Sequence, residues 1–179
     1  WATEAANLRR QMSRRVSERI EVGEIDHMSV FAFAPQPLLI LLGTLLGDVT
    51  PADVYQLHRE PAGWAWPEGG PEMPLVAMSP PLLRKGPVAL KIALSADVDD
   101  ARVRAVLGDD VDIWTLTTPG PHNDVLKRKE DLSAFRTELR LLLNRIKADR
   151  PDAEVIHILP AMPLSAAIEV GRSWMPKAD

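Results

Sequence analysis

Apolar positions in the first half of the chain follow a helical spacing in some segments and a strand-like pattern in others. An apolar residue recurs at every fourth position from Leu8 to Ile20, with arginines between, which is typical of an amphipathic helix. Later segments are continuously apolar or alternate, as strands do. The predicted elements are a helix over Thr3–Ile20, a strand over Met28–Ala34, a helix from Pro37 to about Leu46 and a strand over Asp53–Arg59.

The second half alternates more regularly. Proline and glycine are frequent from Glu60 to Pro87, which predicts a long connection with one short strand at Leu75–Met78. The elements predicted beyond it are a strand over Val88–Ser95, a helix capped by Asp97 and ending near Leu107, a strand over Val111–Thr117, a helix over Asp131–Ala148, a strand over Glu154–Leu159 and a helix over Pro163–Arg172. Strands alternating with helices of these lengths predict an α/β fold with mainly parallel sheets.

A strand that runs into a proline-marked turn and then a helix occurs twice, as SVFAFAPQPLLILLG and as EVIHILPAMPLSAAIEVGR. Aligning Pro37 with Pro163 gives an offset of 163 − 37 = 126 residues, and the same offset pairs Val16 with Leu142. We therefore predict an internal duplication with a pseudo-two-fold arrangement. Ligands of open α/β sheets lie at the carboxyl ends of the strands, so two such turns suit a ligand with repeated phosphates.

The proline-rich connection divides the chain into two predicted units, residues 1–72 and 73–179. The second unit has two strands and a helix ahead of its long helix, whereas the first begins directly with its long helix. Either the first copy has lost those elements or they lie upstream of Trp1. We expect the second, an incomplete first unit, because a chain that begins at a mid-domain helix leaves a sheet edge unpaired.

Composition narrows the class of protein. Apolar residues make up 46% and charged residues 26% of the chain, which is typical of a globular protein. A net charge of −4 disfavours a protein that coats long nucleic acid, but it allows a short bound nucleotide. The absence of cysteine excludes disulfides and makes the cytoplasm the default location. The apolar run Met28–Gly47 is interrupted by Pro35, Gln36 and Pro37, which favours a strand and a helix over a membrane span.

Signatures of catalysis are weak. The four histidines have no metal-ligand spacing, and the chain has neither a GxSxG nor a GxxxxGK[ST] segment. We therefore predict no catalytic residue, no metal and no cofactor. His157 lies in an apolar strand, and we expect it to be a core histidine rather than a ligand or a base.

The segment YQLHREPAGWAWPEG gathers aromatic and cationic side chains at the end of a strand, although aromatic residues are only 5% of the chain. Aromatic faces stack on bases and arginine pairs with phosphate, so this segment predicts a nucleotide pocket. The alternative is that both tryptophans only cap the core beneath a long loop. The candidate ligand-binding residues here are Tyr55, His58, Arg59, Trp64 and Trp66.

A second polar segment, TTPGPHND, follows the strand that ends at Thr117. Its hydroxyls, imidazole and amide can contact bases or phosphates, although the same residue types form turns for backbone reasons alone. Ser165 is likewise either a phosphate ligand or a helix-start residue. The candidates in this loop and in the two duplicated turns are Thr117, Thr118, His122, Asn123, Asp124, Pro35, Gln36, Pro37, Ala161, Met162, Pro163, Leu164 and Ser165.

Four segments resemble one known family. HILPAMPLSAAIEVGRSWMPKAD resembles the C-terminal signature of the SAVED domain, and FAPQPLLILLG followed by VYQLHREPAGWAW resembles its N-terminal half. PHNDVLKRKEDLSAFRTELRLLLNRI resembles the connection and long helix before that signature. The chain departs from the family pattern at its ends, where no effector domain, no first strand of the N-terminal unit and no strand after PKAD are visible.

The resemblance implies two fused CARF-like Rossmann units that bind a cyclic di-, tri- or tetranucleotide messenger, with a cyclic di- or trinucleotide as the first expectation. It implies a non-enzymatic, cytoplasmic sensor of bacterial CBASS anti-phage defence. Such a sensor self-associates on binding and activates a fused effector, namely an HNH or other nuclease, a TIR domain or a protease. Neither membrane binding nor sequence-specific DNA binding is expected. A CARF-like ring nuclease and a scaffold domain without a ligand are the alternatives.

Overall fold

The computed structural model describes residues 1–47, 51–81 and 86–174. By its internal contacts the chain forms two compact units. Unit 1 comprises Trp1–Trp66 together with Leu164–Asp179, and unit 2 comprises Pro67–Pro163. The last helix therefore belongs with the N-terminal part of the chain. The predicted division at residues 72 and 73 follows the proline-rich connection in the sequence rather than these contacts, and it stays a prediction.

Helices and strands alternate from Val88 to Ser173, whereas five strands follow one another among the described residues from Ala52 to Ala93. The helices are α1 Ala2–Met12, α2 Glu18–Glu21, α3 Gln36–Leu46, α4 Asp100–Leu107, α5 Lys129–Asp149 and α6 Leu164–Ser173, with a π-helical turn at Ser13–Ser17. The strands are β1 Met28–Val30, β2 Ala52–Val54, β3 His58–Arg59, β4 Ala62–Gly63, β5 Val76–Met78, β6 Val88–Ala93, β7 Asp112–Thr117 and β8 Ile156–Ala161. The fold is mixed α/β with small, mainly parallel sheets. In the described part of the chain, no helix combines the length and the apolar character that a membrane span needs.

Unit 1 contains a parallel pair of short strands, β1 and β2, and an antiparallel pair, β3 and β4. The strands predicted at Met28–Ala34 and Asp53–Arg59 are too long. The first ends at Val30, and the second is divided into β2 and β3. Pairing explains both differences, because each of β1 and β2 has only three partner positions.

Helices α3 and α6 cross in direct backbone contact at Gly43 and Gly171. A Cβ atom on either glycine would overlap the carbonyl oxygen three residues before the other glycine, and it would also approach the backbone nitrogen one residue after it. The contact is therefore reciprocal, and the crossing has local two-fold symmetry. Its offset is 171 − 43 = 128 residues, which also separates the first residues of the two helices, Gln36 and Leu164.

Arg172 fixes the carboxyl end of α6 within unit 1. Its Nε donates to the carbonyl of Gly47 at 3.0 Å, and its Nη1 donates to the carbonyl of Ala52 at 3.2 Å. The guanidinium also pairs with Glu169 at 3.1 Å, and both side chains are buried. One cation therefore joins α6 to the end of α3 and the start of β2.

Unit 2 is built on a four-stranded sheet in the order β5-β7-β6-β8, in which only β5 is antiparallel. One face presents Leu90, Ile92, Trp114 and Leu116, all fully buried. On the other face, Ala89 and Ile113 pack with Val103 of α4. Burial on both faces explains why β6 and β7 are almost continuously apolar.

Buried polar contacts hold both ends of α5. At its start, the carboxylate of Asp131 accepts the N–H of Met73 at 3.2 Å, and burial raises the pKa of Asp131. At its end, Arg150 donates to Asp112 at 2.7 Å and to the carbonyl of Gly86 at 3.0 Å. The carboxylates of Asp152 and Asp112 raise the pKa of Arg150 against the effect of its burial.

Two predictions in unit 2 are wrong. The cap of α4 is Asp99 rather than Asp97, because Asp99 directly precedes the helix and its Oδ1 accepts the N–H of Ala101 at 2.9 Å. His157 is exposed rather than part of the core. It lies on β8, an edge strand of the sheet, near Val155, which is also exposed.

We expect Gly43→Ala and Gly171→Ala each to lower the free energy of unfolding by about 1–3 kcal/mol, because the new methyl group overlaps backbone atoms. Helix propensity alone predicts the opposite sign, since alanine is favoured over glycine in a helix interior by roughly 1 kcal/mol. Denaturant unfolding of both variants and of the double variant measures the effect.

The double variant should cost less than the sum of the single variants, because one separation of the helices relieves both overlaps. Single variants that are more stable than the wild type would contradict the close crossing.

Candidate functional site

Three aromatic side chains meet at the carboxyl ends of β1 and β2. Phe31 directly follows β1 and Tyr55 directly follows β2, and the N–H of Tyr55 donates to the carbonyl of Val30 at 3.0 Å. The Phe31 and Tyr55 rings stack with centroids 4.4 Å apart and planes 13° apart. Trp64 meets Phe31 edge-on, at 5.5 Å and 89°. We call Phe31, Tyr55 and Trp64 the aromatic shelf.

The Phe31 ring of the shelf is held by other rings and is still exposed to solvent. Phe31 keeps 53% of its surface exposed although Tyr55 covers one face of its ring, and Tyr55 and Trp64 are half-buried. Phe33, two residues further on, is 78% exposed and takes part in none of the ring contacts found among the described residues. An open aromatic face held by other rings at the end of parallel strands is suited to stacking on a planar ligand.

The remaining aromatic and basic candidates of unit 1 lie beside the β3–β4 pair. His58 is buried, and its ring meets that of Trp66 edge-on with centroids 5.4 Å apart. Trp66 is half-buried, and Arg59, next to His58, is exposed. His58 is thus a packed side chain, whereas the guanidinium of Arg59 is accessible to an anion.

The side chain of Gln56 caps the start of α6. Its Oε1 accepts the backbone N–H of Ser165 at 3.1 Å and the hydroxyl of Ser165 at 2.9 Å, while its Nε2 donates to the carbonyl of Leu57. Both Gln56 and Ser165 are buried. The residue after Tyr55 therefore holds the helix, and a ligand at Ser165 would have to displace this amide. The role of Ser165 and its neighbour Leu164 as ligand contacts stays a prediction.

The first duplicated turn lies at the start of α3. The carbonyl of Pro35 accepts the N–H groups of Leu38 and Leu39, and Pro37 occupies the first turn of the helix. Pro35 and Pro37 are exposed and Gln36 is half-buried. This turn follows β1 in the chain.

In unit 2 the predicted polar loop lies at the carboxyl edge of the parallel strands. Ala93, Thr117 and Ala161 are paired last residues of β6, β7 and β8. The hydroxyl of Thr117 donates to the carbonyl of Ala93 at 2.7 Å, and the N–H of His122 donates to the carbonyl of Leu94 at 3.2 Å. The loop is thereby fixed against the end of the sheet.

The side chains of this loop differ in exposure. His122 and Asn123 are exposed, whereas Thr118 is buried, as are Met162 and Pro163 after β8. Asp124 adopts a φ of +79° and pairs with Lys127 at 2.5 Å. An aspartate tolerates this left-handed conformation better than most residues do. His122 and Asn123 are therefore the accessible polar groups of the loop.

Sequence reasoning missed two residues of the site. Phe31 lay inside a predicted strand, and its position directly after β1 depends on where pairing with β2 stops. Gln56 carried no local signal, because its partner is Ser165, 109 positions later in the chain. Both Tyr55 and Trp64, which the sequence did single out, lie in the shelf.

The comparison with known families agrees with the resemblance drawn from the sequence. One family model matches residues 8–179, nearly the whole chain. It is SAVED, the SMODS-associated and fused to various effectors sensor domain. No curated protein sequence matches the chain.

We expect Gln56→Met to lower the free energy of unfolding by about 1–3 kcal/mol, because the buried N–H and hydroxyl of Ser165 lose their acceptor while the side-chain volume is kept. Gln11→Met, at an exposed position of α1, is the control and should change stability by less than about 0.5 kcal/mol. Denaturant unfolding compares the two. Equal stability of the two variants would contradict the role of Gln56.

Proposed function

We propose that this chain, which belongs to the SAVED family of sensor domains, binds a cyclic oligonucleotide messenger. The messenger is a cyclic di- or trinucleotide, and the protein holds it without cleaving it. Binding drives self-association and thereby activates a fused effector in bacterial anti-phage defence, in the cytoplasm. The single observation that carries the proposal is the aromatic shelf.

Stacking on the shelf supplies affinity for a base. Base–aromatic stacking contributes about 1–3 kcal/mol per base and works with every base, because each has a π-face. Tyr55 and Trp64 already hold the ring of Phe31, so binding loses little side-chain entropy. A preformed stacking surface suits a ligand present at low concentration.

The phosphates of the messenger need cationic or polar partners. Arg59 is an exposed guanidinium in the hairpin that joins Tyr55 to Trp64 along the chain, and a guanidinium can bind phosphate oxygens with two parallel hydrogen bonds. We propose Arg59 as a phosphate contact. His122 and Asn123, exposed donors at the strand ends of unit 2, stay predicted ligand contacts of that unit.

The repeated phosphates of the proposed ligand agree with a repeated protein. The reciprocal contact of Gly43 and Gly171 relates α3 to α6 by a local two-fold symmetry, as expected if two CARF-like units have been fused. A cyclic oligonucleotide repeats its phosphates around a ring. Repeated binding elements therefore match a repeated ligand better than a single mononucleotide.

A ring nuclease is the second candidate, and one residue favours it. Cleavage of a phosphodiester needs a group that transfers a proton at the phosphate. His58 is buried against Trp66, whereas His122 is an exposed imidazole at the strand ends of unit 2. His122 is therefore the residue to test for turnover.

We expect a thermal-shift panel of cyclic di-, tri- and tetranucleotides to identify a ligand, which at a hundredfold its Kd stabilises the protein by about 2.7 kcal/mol. With that ligand, calorimetry should show that Phe31→Ala weakens binding by roughly 10- to 100-fold through lost stacking. Phe33→Ala is the matched control, because Phe33 is more exposed than Phe31 and stands outside the shelf.

Equal affinity of Phe31→Ala and the wild type would remove the shelf from the site. A panel in which no cyclic oligonucleotide raises the melting temperature would contradict the proposed function itself.

We expect the protein to retain its messenger intact while its particle mass rises on loading, because a ligand switches an effector only by favouring one state over another. Chromatography of the nucleotide and light scattering of the protein measure both quantities in one incubation. Linear products that disappear in His122→Ala would establish the ring nuclease instead. An unchanged particle mass would contradict self-association.

A further inference from the structure

A cluster of arginines lies on the N-terminal helix, outside the site described above. Residues 8–16, LRRQMSRRV, contain Arg9, Arg10, Arg14 and Arg15 and no acidic residue, although the whole chain carries a net charge of −4. All four side chains are exposed. We call these four residues the arginine face.

The arginine face is largely without internal partners. Arg10 donates to the side chain of Asn7 at 3.1 Å. Among the residues that the structure describes, Arg9, Arg14 and Arg15 form no hydrogen bond or ion pair through their side chains. Arg19, by contrast, pairs with Glu24 at 2.9 Å. Within the described residues, three of the four guanidinium groups therefore have no internal partner that would compete with an external anion.

The π-helical turn keeps the apolar row, and with it the row of Arg10 and Arg14, on a constant side of the helix. A spacing of four residues drifts by about 40° per repeat in an α-helix, which has 3.6 residues per turn. The turn at Ser13–Ser17 takes more residues than an α-helical turn and so reduces the drift. Met12 in the apolar row is accordingly buried, and Leu8 and Val16 are half-buried. Arg10 and Arg14, also four apart, lie on one outward row, and Arg9 and Arg15 lie about 100° to either side of it, because neighbouring residues of a helix are turned by that angle.

We propose that the arginine face binds the phosphate backbone of a nucleic-acid duplex without sequence preference. Guanidinium groups bind phosphate oxygens with two parallel hydrogen bonds. The pairs Arg9–Arg10 and Arg14–Arg15 are five residues apart, or about 7.5 Å along a helix of 1.5 Å rise. Along the axis of a duplex each strand presents a phosphate about every 3.4 Å, so two pairs at this separation can contact different phosphates.

Two other anionic partners fit the surface less well. A helix that lies on a membrane inserts an exposed apolar face, but the apolar row here is half-buried or buried, and α1 contacts α3. A protein partner needs large apolar anchors at the centre of its interface, and none of the exposed large apolar side chains lies within residues 8–16. Phosphates need neither an apolar face nor an anchor.

The net charge of the chain does not oppose a local contact of this kind. Charges further than a Debye length, about 10 Å at 0.1 M salt, are largely screened from the bound phosphates. Four cations contact only a few phosphates, so the binding is weak and strongly dependent on salt.

Fluorescence anisotropy with a short labelled DNA duplex of arbitrary sequence tests the proposal, from about 50 mM to about 200 mM salt. The wild type should bind with a slope of log K against log salt of about −3 to −4, the value for four neutralised phosphates. Arg14→Gln/Arg15→Gln should reduce the magnitude of that slope by about 2. Replacing all four arginines with glutamine should abolish binding.

Arg102→Gln/Arg140→Gln is the matched control, because both arginines are exposed on helices of unit 2 and should not change affinity or slope. Circular dichroism verifies the fold of each variant. Should the fourfold variant fail to fold, the double variants Arg9→Gln/Arg10→Gln and Arg14→Gln/Arg15→Gln decide by their slopes.

The proposal is overturned if the wild type fails to bind the duplex at low salt, or if the control pair weakens binding as much as the arginine-face variants do. Binding to vesicles that contain phosphatidylserine without binding to the duplex would also overturn it, in favour of a membrane. None of these outcomes bears on the cyclic oligonucleotide, because the aromatic shelf is tested with a different ligand and different variants.

Discussion

The structure of unit 1 depends on the contact between the backbones of α3 and α6 at Gly43 and Gly171. Two glycines in helix interiors cost helix stability, so their presence is explained by what they allow, which is an approach too close for any side chain. Arg172 then holds the carboxyl end of α6, and Gln56 holds its start. Helix α6 is therefore fixed at its start and along its C-terminal half by residues distant in sequence.

Gln56 connects the fixed helix α6 to the aromatic shelf. Gln56 turns inward to Ser165, and Tyr55, directly before it, stacks on Phe31. The strand pair and the capped helix thus determine the backbone on which the shelf rings are carried. An exposed aromatic residue whose neighbours hold it in place has lost its conformational freedom before a ligand arrives, which favours binding. Core packing alone does not explain these ring contacts, because Phe31 leaves half of its surface exposed to water.

Sequence reasoning predicted the types of the main elements, since these depend on local periodicity. It failed where the bounds of an element or the exposure of a side chain depend on contacts with other parts of the fold. The ends of β1 and β2 follow from the three positions at which they pair, the cap of α4 is the aspartate nearest the helix, and His157 is exposed because β8 is an edge strand. For the site, Tyr55 and Trp64 were found from composition, whereas Phe31 and Gln56 depend on contacts across the fold. The family was predicted from four segments that resemble its signature, and the match over residues 8–179 confirms it.

The central claim is that a base of the messenger stacks on the ring of Phe31. The chain has three phenylalanines, of which Phe31 lies in the shelf, Phe33 is exposed outside it and Phe135 is fully buried. Fluorine NMR of protein labelled with fluorophenylalanine therefore reports each environment as a separate signal. Saturation with the cyclic oligonucleotide should shift the Phe31 resonance through the ring current of the base and leave Phe33 and Phe135 unchanged. A Phe31 signal that does not move under saturating ligand would contradict the account.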